Sequence, residues 1–452
     1  MIMAMIRPET EMKDSGIQWI GDIPNDWDVR RLKYVLNERK EKNDPLVTDN
    51  ILSLSAEQGV IPFSERIGGG NKPKEDLTAY KVVRAGDIVL NSMNVLSGAV
   101  HYSNYTGCVS PVYYMLYNEN DVITRYYNLV FRTEAFQRSL RGLGNGILIK
   151  ETDEGKLNTI RMRIPMEKLN KVKLPSPSFD EMKKVVESIE PIRSKIDEII
   201  AEANASIDEY KELKQSVIFE AVTKGLDKNV EMKDSGVEWI GEIPSSWQLR
   251  KLKTFTVMIS KGTTPKDMSN VKTTLYCVRY LKSENIKNNH LDIVPEFYIT
   301  EETHNELSRS KLNGNDILFV IAGASIGKVA IMDENLLPAN TNQANAFIRI
   351  KDEFMDSIEY LWMLLQSVIV KEVINRYSVQ SAQPNISMEN LGNIKLPYPL
   401  LERERDNIMN YLREKVDAID SLIAEKESLI NDLEAYKKSL IYEVVTGKRR
   451  VV

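Results

Sequence analysis

The sequence predicts an α+β protein made by tandem duplication. Two α/β bodies are joined by two long helical regions, which are expected to pack as an antiparallel coiled coil with pseudo-two-fold symmetry. Three observations predict this fold class: a 14-residue motif occurs twice, two charged segments carry a coiled-coil pattern, and short apolar runs broken by Gly, Asn and Pro fill the rest of each half. With 452 residues the chain has room for several domains of about 100–200 residues.

The duplication is clearest in a motif that we call the frame. EMKDSGIQWIGDIP at 11–24 recurs as EMKDSGVEWIGEIP at 231–244. Two other matches follow at offsets of 222 and 223 residues: KLP at 173–175 and 395–397, and SVIFEAVT at 216–223 with SLIYEVVT at 439–446. Each half is therefore a frame, a body, a KLP hinge and a charged segment. The frame tryptophans are expected to pack at the entrance to each body, with a partner surface as the alternative; they are Trp19, Trp27, Trp239 and Trp247.

The two bodies, at about 34–168 and 254–390, show little similarity to each other. Their runs of β-branched and aromatic residues predict short strands, and helical patterns follow at 124–141 and 356–377. The predicted strands lie at 81–90, 99–105, 112–117, 316–321 and 346–350. Because the bodies differ in sequence while the frames repeat, we favour one scaffold with two reading heads for different ligands. A duplicated structural protein whose loops have diverged is the alternative.

The charged segment after each KLP hinge predicts a long helix. Ser178 and Glu181 have the form of a capping box, and Pro191 is expected to begin a second helix. Apolar residues then recur at alternating steps of four and three, as in a coiled-coil seam. The first predicted seam is Ile196, Ile200, Ala203, Ile207, Tyr210, Lys214, Val217 and Ala221. The second is Leu422, Lys426, Leu429, Leu433, Tyr436 and Leu440, with Ile419, Ile423 and Ile430 beside it.

An antiparallel pair is favoured because a whole body separates the two helices along the chain. The predicted division of the chain follows from these elements. It comprises an N-terminal extension at 1–11, the first body with its frame at 12–172, a helical region at 173–225, the second body with its frame at 226–394, a second helical region at 395–447, and a tail at 448–452.

The composition excludes several classes of protein. Hydrophobic residues make up 42% and charged residues 28%, which is typical of globular proteins. The two cysteines are too few for a disulfide framework, and the longest apolar stretch falls short of the ~20 residues of a membrane helix. These features predict a reducing, cytoplasmic location. A formal net charge of -5 argues against a protein that coats nucleic acid without regard to sequence.

No catalytic or metal-binding motif is evident in the sequence. The three histidines are scattered, and neither cysteine lies in a cluster with ligand spacing. The segment 323–328 resembles a phosphate loop, but it has one residue too few between its glycines, and Val329 stands where Ser or Thr would bind magnesium. The chain is therefore expected not to be an enzyme by itself, and a self-sufficient DNA enzyme is the disfavoured rival.

Polar loops in both bodies predict contacts with DNA. Lys, Thr and backbone amides contact phosphate oxygens, whereas Asn, Gln and Ser side chains can read base edges. Each loop alone could be a surface turn, but their occurrence in both bodies favours DNA. The candidates in the first body are Lys72, Lys74, Asn91, Ser92 and Asn94. Those in the second body are Lys261, Thr263, Thr264, Lys266, Ser325, Lys328, Asn342 and Gln343.

Several of these segments resemble the specificity (S) subunit of type I restriction-modification systems. The resemblance covers essentially the whole chain and depends on the frame SGIQWIGDIPNDW at 15–27, its second copy, the KLP hinge and the helix end EAVTKGLD at 220–227. Stretches at 86–100, 260–265 and 316–332 are similar to segments of that family's target recognition domains. Where the family often has Glu-Gln after the hinge, this chain has FDE at 179–181 and LER at 401–403, which leaves the helix entry open.

The resemblance implies two target recognition domains, each reading one half of a bipartite DNA sequence. It also implies that the helices set the spacing and dock two methyltransferase (M) subunits, which bind S-adenosylmethionine and methylate adenine. Restriction (R) subunits, with ATP and Mg, would complete the assembly in a prokaryotic cytoplasm, and this chain would bind no cofactor or metal. The alternative is a non-catalytic coiled-coil scaffold for proteins only.

Overall fold

The structure is a computed structural model that describes residues 5–451 except 56–57, 67–72, 145–148, 152–156, 160–162, 267–277, 288 and 379–384. The chain divides by its contacts into two compact units. Unit 1 comprises Met1–Ala203 and Glu427–Val452, and unit 2 comprises Asn204–Lys426. Each unit holds one frame, one body and half of each long helix, so the units divide the chain inside the helices rather than at the ends of the bodies.

The elements of the first half run from the N terminus to the first long helix. They are β1 (Met5–Ile6), β2 (Met12–Asp14), β3 (Asp22–Pro24), β4 (Asp28–Arg31), β5 (Asn37–Arg39), β6 (Leu52–Ser55), β7 (Gly59–Pro62), β8 (Lys81–Val83), β9 (Ile88–Asn91), β10 (Val100–Tyr102), β11 (Gly107–Val109), β12 (Tyr113–Tyr117), α1 (Asp121–Phe131), α2 (Glu134–Ser139), β13 (Ile149–Glu151), β14 (Leu157–Thr159), α3 (Met166–Leu169), β15 (Lys173–Ser176) and α4 (Phe179–Lys224).

The second half repeats this plan and ends in a strand that returns to the N terminus. Its elements are β16 (Met232–Asp234), β17 (Glu242–Pro244), β18 (Gln248–Lys251), β19 (Thr256–Lys261), β20 (Val278–Leu281), β21 (Ile286–Lys287), β22 (His290–Leu291), β23 (Tyr298–Ile299), α5 (Glu301–Glu306), β24 (Ile317–Val320), β25 (Val329–Ile331), β26 (Ala339–Thr341), β27 (Asn345–Ile350), α6 (Ile358–Gln366), α7 (Val368–Ser378), α8 (Met388–Gly392), β28 (Lys395–Tyr398), α9 (Glu402–Val445) and β29 (Arg449–Arg450). Strand β29 pairs with β1.

The two frames fold in the same way. In each, an aspartate accepts a hydrogen bond from the amide of the glycine two residues later: Asp14 from Gly16 at 2.8 Å, and Asp234 from Gly236 at 2.9 Å. Both glycines have φ near +67°, a conformation that favours glycine. Strand β4 pairs with β15, and β18 pairs with β28. The KLP segment, expected as a hinge, is therefore a strand that ties the start of each long helix to its frame.

A buried tryptophan connects each frame to the start of a long helix. Trp27 is 1% exposed, and its indole N–H donates to the carboxylate of Glu181 in the first turn of α4. Trp247 is 0% exposed and donates to Glu404 in the first turn of α9 at 2.8 Å. These two tryptophans are thus packed inside the protein, as expected, and their contacts are with the starts of the long helices.

The same two rings also contact the ends of the long helices. A Cβ added at Gly447, just after α9, would lie 3.1 Å from the Trp27 ring. A Cβ added at Gly225, just after α4, would lie 3.2 Å from the Trp247 ring. Both glycines have positive φ, at +75° and +72°. Each tryptophan therefore holds the start of one long helix beside the end of the other.

The two bodies contain the same four-stranded antiparallel sheet, although their sequences show little similarity. The strand order is β10–β9–β12–β5 in unit 1 and β25–β24–β27–β19 in unit 2. A buried aspartate precedes the second strand of each order and pairs with an arginine: Asp87 with Arg39 at 2.8 Å, and Asp316 with Arg349 at 2.7 Å. The arginine comes from β5 in one unit and from β27 in the other. The two sheets have the same fold, but their buried ion pairs use arginines from strands that are not equivalent.

The long helices form an antiparallel pair within each unit. In unit 1 Asp197 of α4 pairs with Lys437 of α9 at 2.6 Å, and in unit 2 Lys214 of α4 pairs with Asp420 of α9 at 2.6 Å. The two ion pairs are equivalent at the repeat offset of 223 residues. The outer turns of both helices also pack in the core of a body. The start of α4 and the end of α9 pack in the core of unit 1, and the end of α4 and the start of α9 pack in the core of unit 2.

The predicted seam of α4 is confirmed by its burial pattern, but the seam predicted for α9 is wrong at three of its six positions. Three residues assigned to it, Leu422, Leu429 and Tyr436, are 41%, 41% and 49% exposed. The buried or partly buried row runs instead through 419, 423, 426, 430, 433, 437 and 440. Lysines occupy two of these positions, and the aliphatic stem of a lysine can be buried while its ammonium pairs at the edge.

Helix α4 also corrects two predictions about its first turns. Ser178 accepts a hydrogen bond from the Glu181 amide at 3.3 Å, as expected for a cap, but the Glu181 carboxylate bonds Trp27 instead of reaching back. Pro191 does not begin a new helix, because α4 continues through it. Residues such as Ile189, which is 2% exposed, anchor this stretch in the unit 1 core, and this packing outweighs the loss of one backbone donor.

Candidate nucleic-acid interface

Loops that carry the candidate residues of the second body meet at one end of the unit 2 sheet. Thr263 donates its amide to the carbonyl of Thr341 at 3.0 Å, and Ile321 donates to Ala344 at 2.8 Å. These bonds join three loops directly after β19, directly after β24 and directly before β27. Together with the strand residues at their edges (Lys261, Thr341 and Asn345), we call them loop A (261–266), loop B (321–328) and loop C (341–345).

Loops A and C are packed backbone to backbone. A Cβ added at Gly262 would lie 2.2 Å from the carbonyl oxygen of Asn342, so the close approach requires glycine. This packing leaves most of the candidate side chains accessible. Lys261, Thr263, Lys266, Lys328 and Gln343 are exposed, and Thr264, Ser325 and Asn342 are partly buried. The structure thus brings the eight candidates of the second body to one end of one sheet.

The equivalent end of the unit 1 sheet holds Asn91, Ser92 and Asn94, but only Asn94 is exposed. Asn91 is 8% exposed, and its side-chain oxygen accepts from the amide of Met93 at 3.0 Å. Ser92 is 1% exposed, and its hydroxyl donates to the carbonyl of Val112 at 2.6 Å. These bonds shape the turn that presents Asn94, and the contact of this loop with bases stays a prediction.

The two lysine candidates of the first body are placed less fully. Lys74 is exposed, and its backbone amide donates to the hydroxyl of Tyr80 at 3.1 Å. Lys72 lies outside the described residues. Sequence reasoning missed a group of cations at the same end of unit 1, because its members come from three separate segments and none stands in a motif. They are Lys40, Lys81 and Arg163.

Among the described residues, no group of three or more His, Cys, Asp or Glu side chains is arranged to hold a metal ion. Cys108 is buried, and burial raises the pKa of its thiol to about 11, which keeps it protonated near neutral pH. In the part of the chain that the structure describes, no helix is both long enough and apolar enough to cross a membrane.

Comparison with known proteins agrees with this architecture. A family model described as "Type I restriction modification DNA specificity domain" matches residues 244–434. The specificity subunit of the type I restriction enzyme MjaVIII of Methanocaldococcus jannaschii is 24% identical over 434 residues, which cover 93% of this chain and 91% of that protein. The specificity subunit of the Escherichia coli enzyme EcoBI is 24% identical over 249 residues, or 52% of this chain and 49% of that protein.

A solved structure has the same fold. One chain of a structure described as "Structural basis underlying complex assembly and conformational transition of the type I R-M system" matches with a TM-score of 0.66 and 13% identity, covering 94% of this chain and 99% of that chain. Two sheets of the same strand order, two repeated frames and two long helices define a tandemly duplicated protein with two bodies. The matches to the specificity domain and to nearly full-length specificity subunits make this chain similar to the specificity subunits of type I restriction-modification systems, and they support a role in DNA recognition.

The loops at the sheet end of unit 2 predict two different effects of mutation. Gln343→Ala should relax a base preference by ~1–3 kcal/mol, because an amide can bond a base edge, whereas Lys261→Ala should weaken binding about equally on all targets. Binding of the assembled enzyme to a panel of single-base variants of its target measures both. If discrimination is unchanged in Gln343→Ala, loop C does not read bases.

Proposed function

We propose that each body reads one half of a bipartite DNA target. The observation that supports this proposal is the equivalent placement of polar loops: both bodies present them at the same end of the same sheet, yet the loops differ in sequence. Base readout depends on the donors and acceptors that a loop presents. Two unlike loop sets on like supports are therefore suited to two unlike half-sites.

We further propose that α4 and α9 set the distance between the half-sites and dock two methyltransferase subunits. The frames and helices are the parts whose sequences repeat in the two units, so two copies of one partner can bind equivalent surfaces. These partners would bind S-adenosylmethionine and methylate adenine, and restriction subunits with ATP and Mg would complete the complex. The location would be the cytoplasm of a prokaryotic cell.

In this proposal the chain contributes recognition and no bond-making step. Its loops would contact phosphates and bases, its sheet would hold the loops in place, and its helices would fix where the partner's active site meets the DNA. A protein-only scaffold is not favoured, because the matching family model describes a DNA specificity domain.

Exchange of one body tests the proposal directly. Replacing residues 254–390 with the corresponding body of a relative should change one half of the methylated motif and leave the other half and the spacer unchanged, because each body has its own frame and sheet. Methylation-sensitive sequencing of DNA from cells that express the variant with its partner subunits reads out the motif.

The matched control is the reciprocal exchange of residues 34–168, which should change only the other half. If either exchange alters both half-sites, the two bodies form a single reading site and the proposal is wrong.

A further inference from the structure

Three cationic side chains converge at the loop end of the unit 1 sheet. They line an open cleft of about 560 Å³ beside the ring of Tyr114. The Lys81 ammonium lies 5.2 Å from the centre of that ring, and the Arg163 guanidinium lies 6.0 Å from it. The charged residues of the cleft are Lys40, Lys81, Arg163, Glu38 and Glu167.

We propose that this cleft binds phosphodiester groups of the DNA target, and that Lys40 and Arg163 are further DNA-contacting residues of the first body. The inference rests on the DNA-reading function proposed above and adds residues to it. A phosphodiester carries one negative charge and acceptor oxygens, which suit the fork of an arginine and the ammonium of a lysine.

The charges in the cleft favour an anionic ligand. The Lys81 ammonium donates to the carbonyl of Tyr113 at 2.8 Å and is partly buried. This burial lowers the pKa of Lys81; Glu38 acts in the opposite direction, and the positive charges of Arg163 and Lys40 lower the pKa further. Bringing like charges together is unfavourable in the absence of a counter-charge. An anion in the cleft would relieve this repulsion.

The carboxylates of the cleft leave the cations available. Glu38 lies 3.6 Å from Lys40, but the Lys40 side chain is 79% exposed, so this pair is weak and screened by solvent. Arg163 and Glu167 are both exposed. Lys40 and Arg163 can thus turn towards a ligand without breaking a buried contact.

The position of Lys40 matches that of a candidate DNA contact in unit 2. On β5, Arg39 pairs with Met115 of β12, so the next residue, Lys40, lies beside Tyr114. On the equivalent strand β19, Lys261 pairs with Ala346 of β27. Tyr114 and Ala346 are themselves equivalent, because each is the second residue of its strand and pairs with the penultimate residue of β9 or β24. Lys40 and Lys261 therefore occupy the same place on the two sheets.

Arg163 stands where the other body has a neutral residue. The amide of Ile164 donates to the carbonyl of Ser92 just after β9, and the amide of Ile386 donates to Ile321 just after β24, both at 3.0 Å. The residue before Ile386 is Asn385. The first body thus has at this point a positive charge that the second body lacks.

The test measures how binding depends on salt. The test uses the enzyme assembled with its methyltransferase subunits and measures the negative slope of log affinity against log salt. Each lost phosphate contact makes this slope shallower by ~0.9. The slope should therefore become shallower by about 0.9 in Lys40→Ala and in Arg163→Ala, and by about two in the double variant. Arg163→Lys should keep most of the slope. The control Lys228→Ala removes an exposed lysine outside both bodies and should leave it unchanged.

The motif of methylation should be the same in all these variants, because phosphate contacts position the protein without reading sequence. If the unmodified complex binds its target and the double variant has an unchanged slope, the cleft does not bind phosphate and this inference alone is wrong. If the unmodified complex shows no sequence-dependent binding, the proposed function and this inference both fail.

Discussion

A chain with one heptad inserted into each long helix is expected to recognise the same two half-sites with a spacer about three base pairs longer. Seven residues add about 10.5 Å of helix at 1.5 Å per residue, close to three base pairs at ~3.4 Å each. Duplicating residues 197–203 and 420–426 places the insertions where α4 and α9 pass from one unit to the other. Seven residues also keep the seam in register.

Sequencing of the methylated motif in cells measures the result. The matched control is a flexible heptad inserted after Lys228, in the exposed connection between α4 and β16, which should leave the spacer as it is. A folded and active double insertion with the original spacer would show that the helices do not set the distance.

Trp247→Ala is expected to cost ~3–5 kcal/mol of unfolding free energy, as large-to-small changes at buried tryptophans do. The ring is fully buried, packs beside Gly225 and donates to Glu404, so its loss leaves a cavity and frees both helix ends from the frame. Trp27→Ala should cost a similar amount, because Trp27 makes the same contacts in unit 1.

Urea unfolding followed by circular dichroism measures these losses. Glu404→Gln is the control, since its amide oxygen can still accept the indole N–H, and it should cost far less than Trp247→Ala. A loss below about 1 kcal/mol in Trp247→Ala would contradict the role of the ring as the connection between frame and helices, because a surface substitution changes stability by about ±0.5 kcal/mol.

The fold was predictable from sequence where a repeat or an apolar period directly determines the structure. The duplicated frame and the seam of α4 are confirmed, since Ile196, Ala203 and Ile207 are buried at the expected steps. The seam of α9 is confirmed only in part, because Leu422 stands next to Ile423 and Leu429 next to Ile430, so apolarity does not decide which residue of each pair faces inward. Lys437 rather than Tyr436 takes a further inner position. Burial of a lysine stem beside an ion pair is a tertiary effect that no hydrophobicity pattern reveals.

Sequence comparison did not show that the two bodies contain the same sheet. Its strands are short, and the same buried aspartate is neutralised from different strands in the two units, so the likeness is in hydrogen bonding rather than in residue identity. For the site, sequence picked out polar loop residues in unit 2, but it did not show that the three loops meet at one end of a sheet. It could not show that Ser92 is turned inward, nor that Lys40 and Arg163 meet, since both depend on pairing between distant segments.

The pairing of β1 with β29 affects the connectivity of the fold. In unit 2 the end of α4 is joined covalently, by the chain, to the frame that begins at β16. In unit 1 the end of α9 is joined to the frame that begins at β2 by hydrogen bonds between Met5–Ile6 and Arg449–Arg450. The pairing of β1 with β29 therefore makes the order of elements cyclic. Joining the termini and opening the chain between α4 and β16 would yield a circular permutant with the same neighbours throughout.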